Sequence, residues 1–344
     1  MFANFKKSKQ YCLLSVGVFL FGCNSASDLT DIADVAIKPP KRESIDRSKL
    51  GVQNFFTSTA AFGSVDQQFR DIRQNLGIRY VRILLPWIES RQSTKNSSYN
   101  FDSADEILNS IPAGVDVLVV LAHTPDWFTN PSNQTTANPR QAWVDQFLKP
   151  TISRYASNGR IIGWEIFNEP NILTVASDSV LGLTEPSNYV ELMQFATDAI
   201  KSITPGKLAV MAATSSIQQD WPASINYNKA LFDGGISNYT DVWNVHYYGK
   251  QFEKVVVNNG VADFLNSTGK EIWITESGQQ GPNDQLAYVE TVWPFLTDKI
   301  PGIKRIYYYE YSSTAPIRES YGLRSTDQAF PVSDFYVSLI GKES

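Results

Sequence analysis

The chain has 344 residues, a formal net charge of −5 and 42% apolar residues. That length and apolar content bound it to a large folded domain with a substantial core, and the acidic balance makes nucleic acid and anionic lipid poor electrostatic partners. Two cysteines and two histidines, with no His-Glu-x-x-His, no cysteine pair and no glycine-rich phosphate loop, leave little room for a disulfide framework, a metal centre or a nucleotide cofactor, so none is expected.

In chain order, the first segment carries Lys6, Lys7 and Lys9 and no acid, then an apolar run from Tyr11 to Gly22 that stops at Cys23. A basic head, a short apolar stretch and a small residue before the break describe a secretory signal over 1–22. The run is too short for a permanent span, which needs about 20 residues. Cleavage there would remove three lysines and no acid, taking the charge from −5 to −8. Residues 23–48, polar and holding Pro39-Pro40, read as a solvated tether. Leu20-Phe-Gly-Cys23 resembles the lipobox of bacterial lipoproteins. The resemblance implies acylation of Cys23, a cell-envelope location at the outer membrane, and membrane contact through the acyl chains alone.

From Leu50 onward, short apolar runs alternate with longer amphipathic segments. Strands are predicted at 51–55, 80–84, 116–121, 161–167, 208–212, 241–245, 271–275 and 304–309, with helices including 66–75, 141–155, 189–203, 283–296 and 333–340. Eight strand–helix units over 49–344 predict a single (β/α)8 barrel. A monomer is expected.

Two carboxylates end predicted strands. The fourth runs Ile161-Ile-Gly-Trp-Glu-Ile-Phe-Asn168-Glu169-Pro170, and the proline, unable to donate to a ladder, marks where pairing stops. The seventh, Glu271-Ile-Trp-Ile-Thr-Glu276, ends likewise, with Gly278 opening the next loop. Both glutamates therefore face the end where barrel enzymes place their chemistry. Two carboxyl groups flanking an anomeric carbon are what glycoside hydrolysis requires, about 5–5.5 Å apart for retention and roughly 6.5–9.5 Å for inversion.

Asn-Glu-Pro ending strand four and Ile-Thr-Glu ending strand seven resemble the retaining glycoside hydrolases of clan A. The fuller Trp164-Glu-Ile-Phe-Asn-Glu-Pro-Asn171 is most similar to family 39, with family 5 a near competitor. The resemblance implies Glu169 as acid/base, Glu276 as nucleophile, and Asn168 as the group bonding the sugar 2-hydroxyl. In Trp243-Asn-Val-His-Tyr-Tyr248 it implies a side chain that bonds the nucleophile; His246, Tyr247 and Tyr248 are candidates, and His246 and Tyr248, two apart, are preferred. It also implies that Arg82 neighbours the nucleophile; the alternative is an ion pair elsewhere in the barrel, for example with Glu165. His123, after strand three, is expected to meet the sugar.

Strand eight departs from the pattern. Tyr307-Tyr-Tyr-Glu310-Tyr311 stands where many clan members have a tryptophan, so one of these rings is expected to floor the subsite and Glu310 to bond a sugar hydroxyl or a positive group. Trp87, Trp127, Phe128 and Trp221 follow other strands and suit a rim for stacking pyranose faces, whereas Trp143, Trp164, Trp243, Trp273 and Trp293 read as core. The resulting expectation is a retaining β-glycosidase acting on extracytoplasmic oligo- or polysaccharide. The alternatives are a glycan-binding surface lipoprotein without activity and an accessory hydrolase of an exopolysaccharide system.

Overall fold

The computed structural model describes residues 41–250 and 253–341. The signal of 1–22, Cys23 and the tether as far as residue 40 lie outside the described residues. Eight parallel strands close into a barrel in chain order: β1 (Leu50–Gln53), β2 (Tyr80–Pro86), β3 (Asp116–Ala122), β4 (Ile161–Ile166), β5 (Leu208–Met211), β6 (Val242–His246), β7 (Glu271–Ser277) and β8 (Ile303–Tyr308). β8 pairs back onto β1, with Gly51 opposite Tyr307. Each strand is followed by helix that packs on the outside, as its amphipathic pattern requires.

Local chemistry sets the helix starts. Ser64 and Gln67 form a reciprocal capping box at Val65–Arg70. Asn138 caps the turn beginning at Pro139, whose missing N–H costs nothing at that position. The predicted helix over 66–75 begins as Val65–Arg70 and continues as the wider turns of Asp71–Asn75. Residues 41–48, expected in the tether, dock on the barrel wall: Arg42 donates twice to Glu290, and Arg47 donates to the carbonyls of Leu76 and Leu339. Among the described residues, no helix is long and apolar enough to cross a membrane.

The barrel interior is layered. At its lower end Leu118, Val210, Val242, Trp273 and Tyr307 form an apolar plug, and the Arg305 guanidinium lies over the rings of Tyr80 and Trp273. Gly51 is required here: a Cβ on it would stand 2.5 Å from the Tyr307 ring. Above the plug comes a buried polar layer of Gln53, Arg82, Glu165, Asn244 and Thr275. These inward positions follow the two-residue period of each strand, Tyr80 and Arg82 on β2 for example. The polar layer supports the mouth.

Candidate active site

Glu169, His246 and Glu276 meet at the C-terminal mouth of the barrel. One ligand atom from each lies within 4.8 Å of the other two. The two carboxylates thus share one small space, although 107 residues of chain separate them.

β7 delivers Glu276 directly, as part of the strand. Its Oε1 accepts from Arg82 Nη1 at 2.6 Å, and its Oε2 accepts from the Tyr248 hydroxyl at 3.0 Å. Burial pushes the Glu276 carboxyl up, but the charges of His246 and Arg82, with the bonds from Arg82 and Tyr248, outweigh it and hold the group below its ordinary range. Burial also keeps the Tyr248 hydroxyl well above its ordinary value, so it remains a donor.

Arg82 is the hub beneath. Its Nε and Nη2 grip Glu165 in a fork, both at 2.8 Å, while Nη2 also reaches Asn168 Oδ1 at 2.8 Å and Nη1 reaches Gln53 at 3.0 Å. Burial disfavours its charge, yet Glu165 and Glu276 together raise its pKa further above the ordinary arginine value. The two sequence alternatives for Arg82 are therefore both realised. A lone buried cation would be costly; two carboxylates and two amide oxygens satisfy it.

Glu169 is built differently. It lies past the end of β4, and its backbone adopts φ 44, with Phe167 at φ 74. Non-glycine residues seldom occupy that left-handed region, and such strain gathers at functional sites. The Glu169 amide donates to the Ala213 carbonyl at 3.0 Å, which pins the turn. Its Oε1 meets His246 Nδ1 at 2.9 Å. His246 was expected to bond the nucleophile, and here a correction is needed: its hydrogen bond goes to Glu169, while its Nε2 stands 3.6 Å from Glu276 Oε1. The cause is the register of β6 against β7. Pairing shifts between Val245 and His246, so His246 falls opposite Glu276 and its ring spans both carboxylates. Tyr248 lies beyond the end of β6 rather than on a shared strand face.

The remaining predicted residues divide. His123, at φ 72 after β3, places its ring edge-on to Phe167 and bonds Asp178 through Nδ1 at 2.9 Å. Trp127 is half-buried, its indole N–H donating to the Gln92 carbonyl. Trp87 and Phe128 do not form a rim. Both are fully buried, Trp87 stacked on Phe147 with ring centroids 5.3 Å apart, because the helix beginning at Pro139 folds over them. The five tryptophans read as core are buried.

Among the strand-eight tyrosines, Tyr307, Tyr308 and Tyr311 are buried, and Tyr309 is the ring left partly open. It sits edge-on to Phe55, Tyr248 and Tyr321. Glu310 lies beside it; burial and the charge of Glu276 push its carboxyl up to about 7, against a bond from Ser313. Sequence reading missed Gln53 and Asp178. The first could have been found as the inward residue of β1, but nothing local marks the second.

A metal ion has no easy place in this cluster. Both Glu276 oxygens already accept hydrogen bonds, and the Arg82 guanidinium at 2.6 Å would repel a cation.

A barrel whose mouth joins two carboxylates, one just past β4 and one on β7, the latter held ionised by arginine and tyrosine, has the site of a glycoside hydrolase. The chain belongs to the cellulase family, glycosyl hydrolase family 5, whose model matches residues 45–310. Family 5, the competitor in the motif reading, is thus the family matched.

Family 39 structures share the fold. A family 39 glycoside hydrolase from the gut symbiont Bacteroides cellulosilyticus WH2 superposes with TM-score 0.63 at 16% identity, over 87% of this chain and 63% of that one. A monomeric β-xylosidase from Caulobacter crescentus CB15 gives 0.61 at 16% identity, over 88% and 69%. The endo-1,4-β-mannanase of Rhizomucor miehei gives 0.56 at 15%, over 88% and 98%. At such identities the likeness is one of fold. No curated protein matches the chain.

Proposed function

We propose that the protein hydrolyses β-glycosidic bonds of an oligo- or polysaccharide with retention of configuration. The observation that carries this reading is the approach of Glu169 and Glu276 to within 4.8 Å. One oxygen of each lies within that distance, which suits carboxyl groups about 5–5.5 Å apart and direct attack better than the roughly 6.5–9.5 Å that leaves room for an inverting water.

Glu276, ionised, attacks the anomeric carbon as the bond to the leaving oxygen breaks and Glu169 gives that oxygen its proton. Glu169, now a carboxylate, takes a proton from water, whose oxygen attacks the same carbon and frees Glu276 from the ester. Arg82 and Tyr248 keep the nucleophile charged and aimed, while His246 orients Glu169. Asn168, fixed by Arg82, is left to bond the 2-hydroxyl through its amide N–H. Tyr309 is the stacking surface where a tryptophan was looked for, and Glu310, His123 and Trp127 line the approach.

The test is a panel of xylan, mannan and soluble cellulose with the matching 4-nitrophenyl β-glycosides, run beside E169Q and E276Q. Product anomers are followed by NMR. A β-anomer as first product and loss of turnover in both variants are expected; an initial α-anomer, or full activity in E276Q, overturns the reading.

The N-terminal pattern ending at Cys23 further supports an envelope lipoprotein acting outside the cytoplasm. Fatty-acid labelling that survives a C23S change would refute that. Inertness across the panel with retained glycan binding would favour a binding protein.

A further inference from the structure

Among the buried carboxylates outside the catalytic pair, Asp178 stands out by its partners. It belongs to the short helix Ala176–Leu181 in the loop after β4, is 6% exposed, and no lysine or arginine pairs with it among the described residues. Its Oδ2 faces His123 Nδ1 at 2.9 Å, and its Oδ1 accepts from the Thr124 hydroxyl at 3.1 Å. Ser177 donates to the Thr124 carbonyl at 2.6 Å, so the loops after β3 and β4 are stitched together at this point.

His123 is held from several sides. Its carbonyl accepts from the Trp143 indole at 2.9 Å, its backbone is left-handed, and its ring lies edge-on to Phe167. Phe167 immediately precedes Asn168 and Glu169. The imidazole therefore borders the strand end that carries the acid/base, and its side chain is 19% exposed.

A carboxylate can only accept, so the nitrogen facing it must carry a hydrogen. In a neutral imidazole that leaves the other nitrogen as an acceptor.

We propose that Asp178 is a positioning residue for glycoside cleavage. It holds the His123 proton on Nδ1 and so presents Nε2 at the mouth as the acceptor for a hydroxyl of the bound sugar. This rests on the reading that His123 meets the sugar. Without Asp178 the ring could carry its proton on either nitrogen, and the wrong choice would set a donor where the sugar needs an acceptor. Asn in its place is nearly isosteric, keeps the Thr124 bond within reach, and offers an N–H that favours the wrong tautomer.

Two measurements test this. The first needs no substrate: with only two histidines in the chain, a 15N-histidine spectrum contains two imidazoles, and H123A assigns them. His123 is expected as the Nδ1–H tautomer, and an Nε2–H tautomer in the unaltered protein overturns the proposal.

The second is a double-mutant cycle on the aryl β-glycoside that the panel identifies. D178N should lower kcat/KM about tenfold, the worth of one ordinary hydrogen bond. In the H123A background it should cause no further loss. An equal loss in both backgrounds makes Asp178 a structural clamp and overturns the proposal. No loss from D178N alone does the same. If H123A itself is fully active, the reading of His123 fails, while E169Q and E276Q still judge the catalytic pair.

Discussion

The ends of β4 and β7 carry the same side chain and support it in opposite ways. Glu276 is part of its strand, 13% exposed at the side chain, and receives a hydrogen bond on each oxygen. Glu169 sits one turn past its strand in strained backbone, 22% exposed, with His246 as its hydrogen-bond partner. A regular strand and a buried arginine are a means of keeping a charge in place. A kinked exit and a single imidazole leave the second carboxylate more open, with one hydrogen bond rather than two. Two chemically identical groups thus stand in different surroundings, and under the proposed function that difference matches their two roles.

The largest test of that contrast is the pair of amide variants. E276Q should fall to background, because an amide cannot form the ester. E169Q should lose roughly 10²- to 10⁴-fold, the usual worth of a general acid, and least on substrates whose leaving group needs no proton. Equal losses on all leaving groups would argue against the assignment.

Arg82→Met tests the support beneath β7. It leaves Glu165 buried without its partner, so destabilisation of about 3–5 kcal/mol is expected by denaturant unfolding. Any surviving activity should vanish at a higher pH on the acid side, since Glu276 loses a neighbour that favours its charge.

Y248F removes one hydrogen bond from the same carboxylate. A loss of about tenfold in kcat/KM is expected, with the acid limb again moved upward. The direction follows from Glu276 being held low in the intact site: raising its pKa means that protonation sets in sooner as pH falls. An unmoved acid limb would show that Tyr248 does not help keep Glu276 ionised.

The smallest effect belongs to Glu310. Its folded value of about 7 lies above the ordinary 4.5, so the folded state holds this proton more tightly than the unfolded chain does. The stability it contributes is present below the ordinary value and lost as pH rises through about 7. Between roughly pH 5 and pH 8 the melting temperature of E310Q should therefore drop less than that of the parent. Parallel curves would refute the shift.

Much of this arrangement was legible in the residues. Short apolar runs between amphipathic segments located the strands to within a few positions, and Pro170 and Gly278 marked where two of them stop. Arg82 inside an apolar strand announced a buried anion. Other features had no local signature. Trp87 and Trp127 follow strands in the same manner, yet one is sealed under a helix and the other is half open, because burial depends on what folds over them. Tyr309 could not be separated from its neighbouring tyrosines by period alone, since Tyr307 also points inward but lies a layer lower.

By itself the sequence determined the eight alternating units, the two acids at strand ends and a buried cation on the second strand, since apolar runs and chain-breaking residues act over a few positions. Only the tertiary structure decided how the charges are shared: that Arg82 serves Glu165 and Glu276 at once, that His246 turns to Glu169, and that Asp178 meets His123. Those contacts join residues dozens of positions apart, and their distances depend on barrel closure and on a shift in strand register that no local pattern encodes.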